Sequence, residues 1–218
     1  MRTLPSRLLA VTERSLADPP LRAAHRLIET IEGLLAAGVR WVWFRERDLP
    51  DHARRSLARA VAERVRAHGG FLTIGGDPVL AAELGADGVH LPGGTTPAEI
   101  ERARTLLPNG LLGISAHAIH EVDAAFLGGA DYATLSPIFA TASKPGYGPA
   151  LGPGALTRAA ALGLPILALG GVTAERVETC YAAGAAGVAV MGSLMRSPDP
   201  GTEARRFLAF ESGRSDRP

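Results

Sequence analysis

Short apolar runs alternate with longer amphipathic stretches along the chain. Apolar runs bounded by glycine or proline predict buried parallel strands, whereas apolar positions three and four residues apart predict helices with one buried face. Predicted helices occupy residues 22–37, 51–68 and 119–127, and two more begin at Pro78 and Pro97. The predicted strands are residues 8–12, 39–44, 71–74, 85–91, 111–115, 132–135, 166–169 and 187–191.

The strand and helix units resemble one another, which indicates a repeated building block. A glycine that ends a helix precedes four of the strands, at Gly38, Gly85, Gly129 and Gly184. Eight such alternations at roughly 25-residue spacing are typical of a closed parallel barrel rather than an open doubly wound sheet. The predicted fold class is therefore α/β, a single (β/α)8 TIM barrel with parallel strands. One domain is expected over residues 1–218, with a frayed polar tail at 211–218 that belongs to it.

Glycine turns follow the last two predicted strands. Gly170 and Gly171 end the seventh strand, and Gly192 with Ser193 ends the eighth. Glycine lets the backbone approach a ligand closely, and Thr173 is predicted to cap a following helix and leave its first N–H groups available. Paired turns of this kind at the end of a β/α barrel are a frequent phosphate site. The alternative is that any β/α protein needs glycine at some of these turns.

Composition limits the classes of partner. The chain has 218 residues, is 46% hydrophobic and carries a net charge of +1, so it can bury a core but has no bulk charge for nucleic acid or a membrane surface. No apolar stretch reaches the roughly 18 residues of a membrane span, and residues 1–10 are too short and interrupted for a signal peptide. The single cysteine, Cys180, has no partner for an internal disulfide. We therefore expect a cytoplasmic protein whose partners are small molecules.

A long loop is predicted after the sixth strand, at residues 136–154. Loops of this length in compact domains are uncommon and tend to be lids or binding loops. The core of the loop, residues 141–148, contains Thr141, Ser143 and Lys144, and Lys144 is the only lysine in the chain. A flexible cation in such a loop suits phosphate, although codon usage that favours arginine would also leave a lone lysine. This core is the candidate lid.

Polar residues at the strand ends are the candidates for chemistry, because a β/α barrel carries its active site there. His117 follows the fifth strand, and histidine is the residue type most often used for proton transfer, so it is the candidate acid and base, with a capping or packing role as the alternative. Arg45 and Ser115 are candidate substrate ligands at two other strand ends. His90 lies within an apolar strand pattern and is expected in the core or at its rim. The other four histidines are expected on the surface, and no metal-ligand spacing emerges among the histidines.

Eight short segments at the strand ends form an ordered set of motifs. They are Arg45-Glu46-Arg47, Gly85-Ala-Asp-Gly-Val-His-Leu91, Gly113-Ile-Ser-Ala-His117, Gly129-Ala-Asp-Tyr132, Ser136-Pro-Ile-Phe139, Thr141-x-Ser-Lys144, Gly170-Gly171 and Val188-Ala-Val-Met191. Single motifs of this kind are weak, whereas eight in order at strand ends are specific. Taken in order, they resemble the thiamine-phosphate synthase superfamily over nearly the whole chain. The resemblance implies a (β/α)8 barrel and an activity in thiamine biosynthesis.

The resemblance implies one of two activities. A synthase joins hydroxymethylpyrimidine diphosphate to thiazole phosphate with Mg²⁺, and a thiazole tautomerase shifts a proton so that thiazole carboxylate phosphate becomes aromatic, without a metal. The synthase pattern ends strand two in Gln-x-Arg-Glu-Lys and strand three in Asn-Asp, with an Asp after strand four. This chain has Phe44-Arg45-Glu46-Arg47, Gly75-Gly76 and Thr95 at those positions. Both carboxylates that the resemblance assigns to Mg²⁺ are missing, which weakens the site for a hard cation.

These departures of the chain from the synthase pattern favour a thiazole tautomerase with no cofactor and no metal. The resemblance implies His117 as acid and base, and Arg45 is assigned to the substrate carboxylate. His90-Leu91-Pro92 resembles the tautomerase branch, whereas the loop residues match a synthase loop and discriminate poorly. The further substrate ligands are Ser115, Thr141, Ser143 and Lys144, and the phosphate ligands are Gly170, Gly171, Gly192 and Ser193.

Two alternatives stay open. A diverged synthase would recruit Mg²⁺ through substrate phosphates and Asp77 or Glu46. A non-catalytic sensor of phosphorylated ligands would keep half of the site. In each case the partner is a small phosphorylated heterocycle of the thiazole phosphate class, and the sequence leaves open whether the chain forms a homo-oligomer.

Overall fold

Eight parallel strands close into a barrel in sequence order, each strand paired with the next and the eighth with the first. The structure, a computed structural model, describes residues 2–16, 22–141 and 149–212. The predicted (β/α)8 barrel is confirmed. Its strands are β1 Leu8–Val11, β2 Trp41–Phe44, β3 Phe71–Gly75, β4 Gly88–Leu91, β5 Leu111–Ala116, β6 Tyr132–Leu135, β7 Ile166–Leu169 and β8 Gly187–Val190.

Helices follow the strands and cover the outside of the barrel. Within the described ranges, none of them is both long and apolar enough to cross a membrane. The helices are α1 Ala23–Ala36, α2 Asp51–Ala67, α3 Pro78–Glu83, α4 Pro97–Leu106, α5 Ile119–Leu127, α6 Pro153–Ala160, α7 Val177–Ala182, α8 Gly192–Met195 and α9 Pro200–Ser212.

Two helix starts follow from capping residues that the sequence shows. Asp77 caps α3, where its side chain accepts a hydrogen bond of 2.9 Å from the backbone N–H of Leu80. Thr96 and Glu99 form a reciprocal capping box at the start of α4. Each cap satisfies N–H groups that the first helical turn leaves without a partner, so these loop residues fix where the helices begin.

The chain departs from expectation after β7. The sequence predicts that Thr173 caps a helix, but its side chain makes no cap, and the 3₁₀ turn Ala174–Arg176 intervenes before α7 begins at Val177. A 3₁₀ turn is tighter than an α-helical turn, so it fits the sharp change of chain direction after the glycine pair that ends β7.

Two further boundaries are corrected. The loop predicted at residues 136–154 ends earlier, because Pro153 opens α6 and proline suits the first turn of a helix. The tail predicted at 211–218 begins too early, because α9 continues through Ser212. α9 is anchored by the buried side chains of Ala204 and Phe207.

Successive side chains along β2 point alternately into two separate layers of the hydrophobic core. Val42 and Phe44 point outward, into the large cluster between the strands and the helices. Trp41 and Trp43 point into the barrel, where they pack with Tyr132 in a second cluster made of strand residues. Burying each of these large side chains stabilises the fold by roughly 1.5–3 kcal/mol. The alternation of side chains along a strand predicts which residues of β2 share a face. Only the closed barrel shows which of the two faces lies inside.

His90 is fully buried inside the barrel, as expected for a core residue. Its Nδ1 lies 2.9 Å from the hydroxyl of Tyr132, and its Nε2 lies 3.0 Å from Oγ of Ser115. Burial, helped by the charges of Arg47 and Arg45, lowers the pKa of His90 well below its ordinary value. The imidazole is therefore neutral in the folded protein at neutral pH.

This lowered pKa predicts a loss of stability in mild acid. Below about pH 6.5 the unfolded chain takes up a proton on His90 that the folded chain refuses, so the free energy of unfolding falls by up to about 1.4 kcal/mol per pH unit. Chemical denaturation between pH 7 and 5 measures this slope. We expect His90→Gln to flatten it, whereas His68→Gln, at an exposed position, retains it. Equal slopes in the wild type and His90→Gln would contradict the assignment.

Candidate active site

Two neighbouring cavities open at the carboxyl ends of the strands. The first, here called the glycine pocket, lies between the turns that follow β7 and β8 and has a volume of about 190 Å³. The structure brings all four predicted phosphate ligands to this pocket, together with Thr141. The four are Gly170, Gly171, Gly192 and Ser193.

The backbone at the glycine pair is closely confined. Gly171 has φ +63°, and a Cβ there would lie 2.4 Å from the carbonyl oxygen of Ala140. Gly170 has φ +90°, and its Cβ would lie 2.7 Å from Cα of Pro137. Positive φ and contact with fixed backbone atoms both exclude larger residues, so glycine is a structural requirement of this turn.

Two arginines that the sequence analysis did not single out also line the glycine pocket. Arg176 donates a hydrogen bond of 2.7 Å to the carbonyl of Gly171, and its guanidinium carbon lies 4.7 Å from the centre of the Phe139 ring. Arg196 lines the pocket from the turn after α8. Both place positive charge where an anion would bind. The sequence does contain a signal for Arg176, because this residue lies three positions after Thr173, in the turn that follows the glycine pair.

The second cavity, here called the arginine pocket, has a volume of about 370 Å³. Leu169, at the end of β7, lines both cavities, so they adjoin at this residue. The predicted residues Arg45, Ser115 and His117 all line the arginine pocket. Trp43, Arg47, Pro92, Gly93, Gly94, Glu121 and Ser136 complete the lining.

The geometry of His117 fixes its tautomer. Nδ1 lies 2.9 Å from the backbone carbonyl oxygen of Ser136, which can only accept, so Nδ1 carries a proton. The backbone N–H of His117 donates to the carboxylate of Glu121, which holds the start of α5 against the strand end. In the neutral ring Nε2 then carries the lone pair, and it is the nitrogen that can accept a proton.

Ser115 links the arginine pocket to the interior of the barrel. Its hydroxyl lies 3.0 Å from Nε2 of His90, and Thr134 Oγ1 lies 3.3 Å from the same nitrogen. Because His90 is neutral and fixed by Tyr132, this contact restrains the Ser115 hydroxyl at the floor of the cavity. Ser115 lines the arginine pocket, and its role as a substrate ligand stays a prediction.

Arg45 reaches the cavity but already has one carboxylate partner. Its guanidinium lies 3.0 Å from the carboxylate of Glu13, and its backbone N–H donates to Oγ1 of Thr12 at 2.9 Å. A guanidinium has five N–H donors, so one carboxylate does not use up its binding capacity. Arg45 remains a candidate for an anionic group of the ligand.

The two carboxylates considered for Mg²⁺ are held by other groups. Glu46 is buried and accepts the backbone N–H of Arg14, and burial raises its pKa. Asp77 caps α3 and pairs with Arg54 at 2.8 Å. Among the described residues, no cluster of three or more His, Cys, Asp or Glu side chains is arranged to hold a metal. At the ends of β2 and β3, Glu46 and Asp77 are thus engaged in other contacts and their neighbours are arginines and glycines, a set that does not fit a magnesium ion.

The predicted lid is only partly described. Thr141 lines the glycine pocket, next to Ala140. Ser143 and Lys144 lie outside the described residues, so their assignment as substrate ligands stays a prediction.

A (β/α)8 barrel with adjoining cavities at the carboxyl ends of its strands has the architecture of a barrel enzyme. A family model for thiamine monophosphate synthase matches residues 8–194. The chain belongs to this thiamine-phosphate synthase family of thiamine-biosynthesis enzymes, as the resemblance implies.

Two curated relatives and one solved structure show the extent of the similarity. The putative thiamine-phosphate synthase of Geobacter sulfurreducens is 40% identical over 186 residues, which cover 84% of this chain and 86% of that protein. The bifunctional protein ThiM/ThiE of Symbiobacterium thermophilum, a thiamine biosynthesis protein, is 39% identical over 181 residues, which cover 83% of this chain but 38% of that longer protein. The thiamine phosphate pyrophosphorylase of Pyrococcus furiosus shares the fold, with a TM-score of 0.79, 22% identity and coverage of 93% and 94% of the two chains. These names favour the synthase, our alternative expectation, over the tautomerase.

Proposed function

We propose that this enzyme is a thiazole tautomerase, which moves a proton within a phosphorylated thiazole carboxylate to make the ring aromatic. The observation that carries the proposal is His117, whose Nδ1–H is fixed on the Ser136 carbonyl in a cavity lined by Arg45 and Arg47. Proton transfer needs a positioned acid and base, and this arrangement supplies one.

The two cavities suit the two ends of such a substrate. The phosphate would lie in the glycine pocket against the turns and the two arginines, and the ring would pass over Leu169 into the arginine pocket. His117 would then remove a proton from one carbon of the substrate and return it to another, so that atoms and charge balance. The hydrogen bond from Nδ1–H to the Ser136 carbonyl stabilises the imidazolium that forms between the two transfers.

The names of the relatives favour a second candidate, thiamine-phosphate synthase. This reaction would place a pyrimidine diphosphate in the arginine pocket, and Arg45 and Arg47 could bind its phosphates. The family implies Mg²⁺ for this chemistry, but the carboxylates near the pocket are engaged in the contacts described above. We therefore derive no step through the ion and place the synthase second.

One pair of assays separates the candidates. The purified chain is incubated with the non-aromatic thiazole carboxylate phosphate, and the aromatic product is followed by its ultraviolet absorbance. A parallel reaction contains hydroxymethylpyrimidine diphosphate, thiazole phosphate and Mg²⁺, and thiamine phosphate is measured by chromatography. We expect turnover in the first reaction and none in the second. Thiamine phosphate in the second reaction would establish the synthase, and tight binding of thiazole phosphate without turnover in either would establish a sensor.

A further inference from the structure

We infer that the hydroxyl of Ser115 is fixed as a hydrogen-bond donor into the arginine pocket, and that Tyr132 and His90 are the positioning residues that set this direction. The inference rests on the proposed function for its ligand, a phosphorylated thiazole, and adds which atom of that ligand is recognised. The atom that Ser115 would contact is the ring nitrogen.

A continuous row of hydrogen bonds runs through the interior of the barrel. The indole N–H of Trp41 donates to Oγ1 of Thr73 at 2.9 Å, and the Thr73 side chain hydrogen-bonds the phenol of Tyr132. The phenol oxygen lies 2.9 Å from Nδ1 of His90, and Nε2 of His90 lies 3.0 Å from Oγ of Ser115. Every member of the row except Ser115 is fully buried, whereas Ser115 is partly buried and lines the arginine pocket.

Trp41 fixes the direction of this row, because an indole N–H can only donate. Thr73 accepts from Trp41, and its own hydroxyl hydrogen then needs an acceptor, which the phenol oxygen of Tyr132 supplies. Burial raises the pKa of Tyr132, so the phenol keeps its proton and donates it to Nδ1 of His90. The opposite direction would aim the Trp41 and Tyr132 hydrogens at one Thr73 oxygen. The Thr73 hydrogen would then have no acceptor in the row, which is costly for a buried group.

The tautomer of His90 carries this direction on to the pocket. Burial lowers the pKa of His90, so the ring is neutral and has one proton. With Nδ1 accepting, that proton is on Nε2, and the N–H faces Oγ of Ser115 at 3.0 Å and Oγ1 of Thr134 at 3.3 Å. The Ser115 oxygen therefore accepts from His90, and its hydroxyl hydrogen is left for an acceptor in the arginine pocket.

The ring nitrogen of the ligand is the acceptor that the other assignments leave over. The phosphate is assigned to the glycine pocket and the carboxylate to Arg45, whereas a thiazole nitrogen has an in-plane lone pair and no hydrogen. Ser115 lies two residues before His117, and both line the arginine pocket. A hydrogen bond to the nitrogen would fix the rotation of the ring relative to the imidazole, as proton transfer between two carbons requires.

The tautomer of His90 can be measured directly. In protein labelled with ¹⁵N-histidine, long-range ¹H–¹⁵N correlation spectra distinguish a ring nitrogen that carries a proton from one that carries a lone pair. We expect the proton on Nε2 of His90. His117, whose Nδ1–H donates to the Ser136 carbonyl, is the internal reference with the opposite tautomer. Spectra of His90→Gln and His117→Ala assign the two rings, and a proton on Nδ1 of His90 would overturn the inference.

A matched pair of ligands tests the donor by binding rather than turnover. Thiazole phosphate and its thiophene analogue have the same shape, but the thiophene has a C–H where the thiazole has its nitrogen. Calorimetric titration of the purified full chain should show that thiazole phosphate binds about three- to tenfold more tightly, the usual effect of one neutral hydrogen bond. Ser115→Ala should abolish this preference, while the affinity for the thiophene ligand stays the same.

Thr134→Val is the control, because it removes the other hydroxyl that faces Nε2 of His90, at a fully buried position outside the lining of the arginine pocket. This variant should keep the preference for thiazole phosphate. Equal binding of the two ligands by the wild type, a preference that survives in Ser115→Ala, or one that Thr134→Val also loses would overturn the inference. A thiazole preference without tautomerase turnover would instead refute the proposed function and leave the row of hydrogen bonds standing.

Discussion

His117→Ala is expected to lower tautomerase turnover by roughly 10²–10⁴-fold, the usual effect of removing a positioned acid or base. The affinity for thiazole phosphate should remain, because the glycine pocket does not include His117. The measurement is kcat from product absorbance, together with the dissociation constant of thiazole phosphate from calorimetry. A loss confined to kcat would show that the imidazole acts in the reaction rather than in binding.

His120→Ala is the matched control for this prediction. His120 lies three residues further along and is exposed on α5. Its removal should leave turnover unchanged. If His117→Ala turned over substrate as fast as the wild type, the assignment of acid and base would be wrong, and the capping alternative would replace it.

Gly171→Ala is expected to have the second large effect, on phosphate affinity and on folding. The added Cβ would meet the carbonyl oxygen of Ala140 at 2.4 Å, and φ is +63° at this position. The strained backbone conformation costs about 1–2 kcal/mol, and the displaced loop adds roughly 1–3 kcal/mol. Because the turn itself forms the wall of the glycine pocket, we expect the affinity for thiazole phosphate to fall by about 100-fold or more.

Gly163→Ala is the control that separates the cost of backbone strain from the effect of changing the wall of the glycine pocket. Gly163 also has positive φ, at +85°, but a Cβ there would meet nothing within 4 Å. This control should lose about 1–2 kcal/mol of stability and no ligand affinity. Denaturant titration and calorimetry measure the two quantities. Equal ligand affinities in the two variants would show that the glycine turn does not bind phosphate.

The sequence predicts the order of elements well because the signals are local. Caps such as Asp77 and Thr96 and the short apolar runs act over a few residues, so each can be identified without knowing its neighbours in space. Thr173 shows the limit, because whether it caps a helix depends on how the chain leaves the crowded turn at Gly171. That crowding involves Ala140, which is distant in sequence.

The candidate site is predictable to the extent that strand ends meet at one face of a barrel. This rule places Arg45, Ser115 and His117 around one cavity, as the structure shows. It gives neither the tautomer of His117 nor the contact between Ser115 and His90, because both depend on which atoms of neighbouring strands lie within hydrogen-bond distance.

The shared wall at Leu169 has a consequence for the size of the ligand. A molecule anchored by its phosphate on one side of this residue reaches the imidazole on the other side only if the tether between phosphate and ring has the right span. A shorter tether would leave the ring out of reach, and a longer one would carry it past His117. Under the proposed function, the distance between the two cavities would therefore select substrates by the length of the tether, separately from their charge.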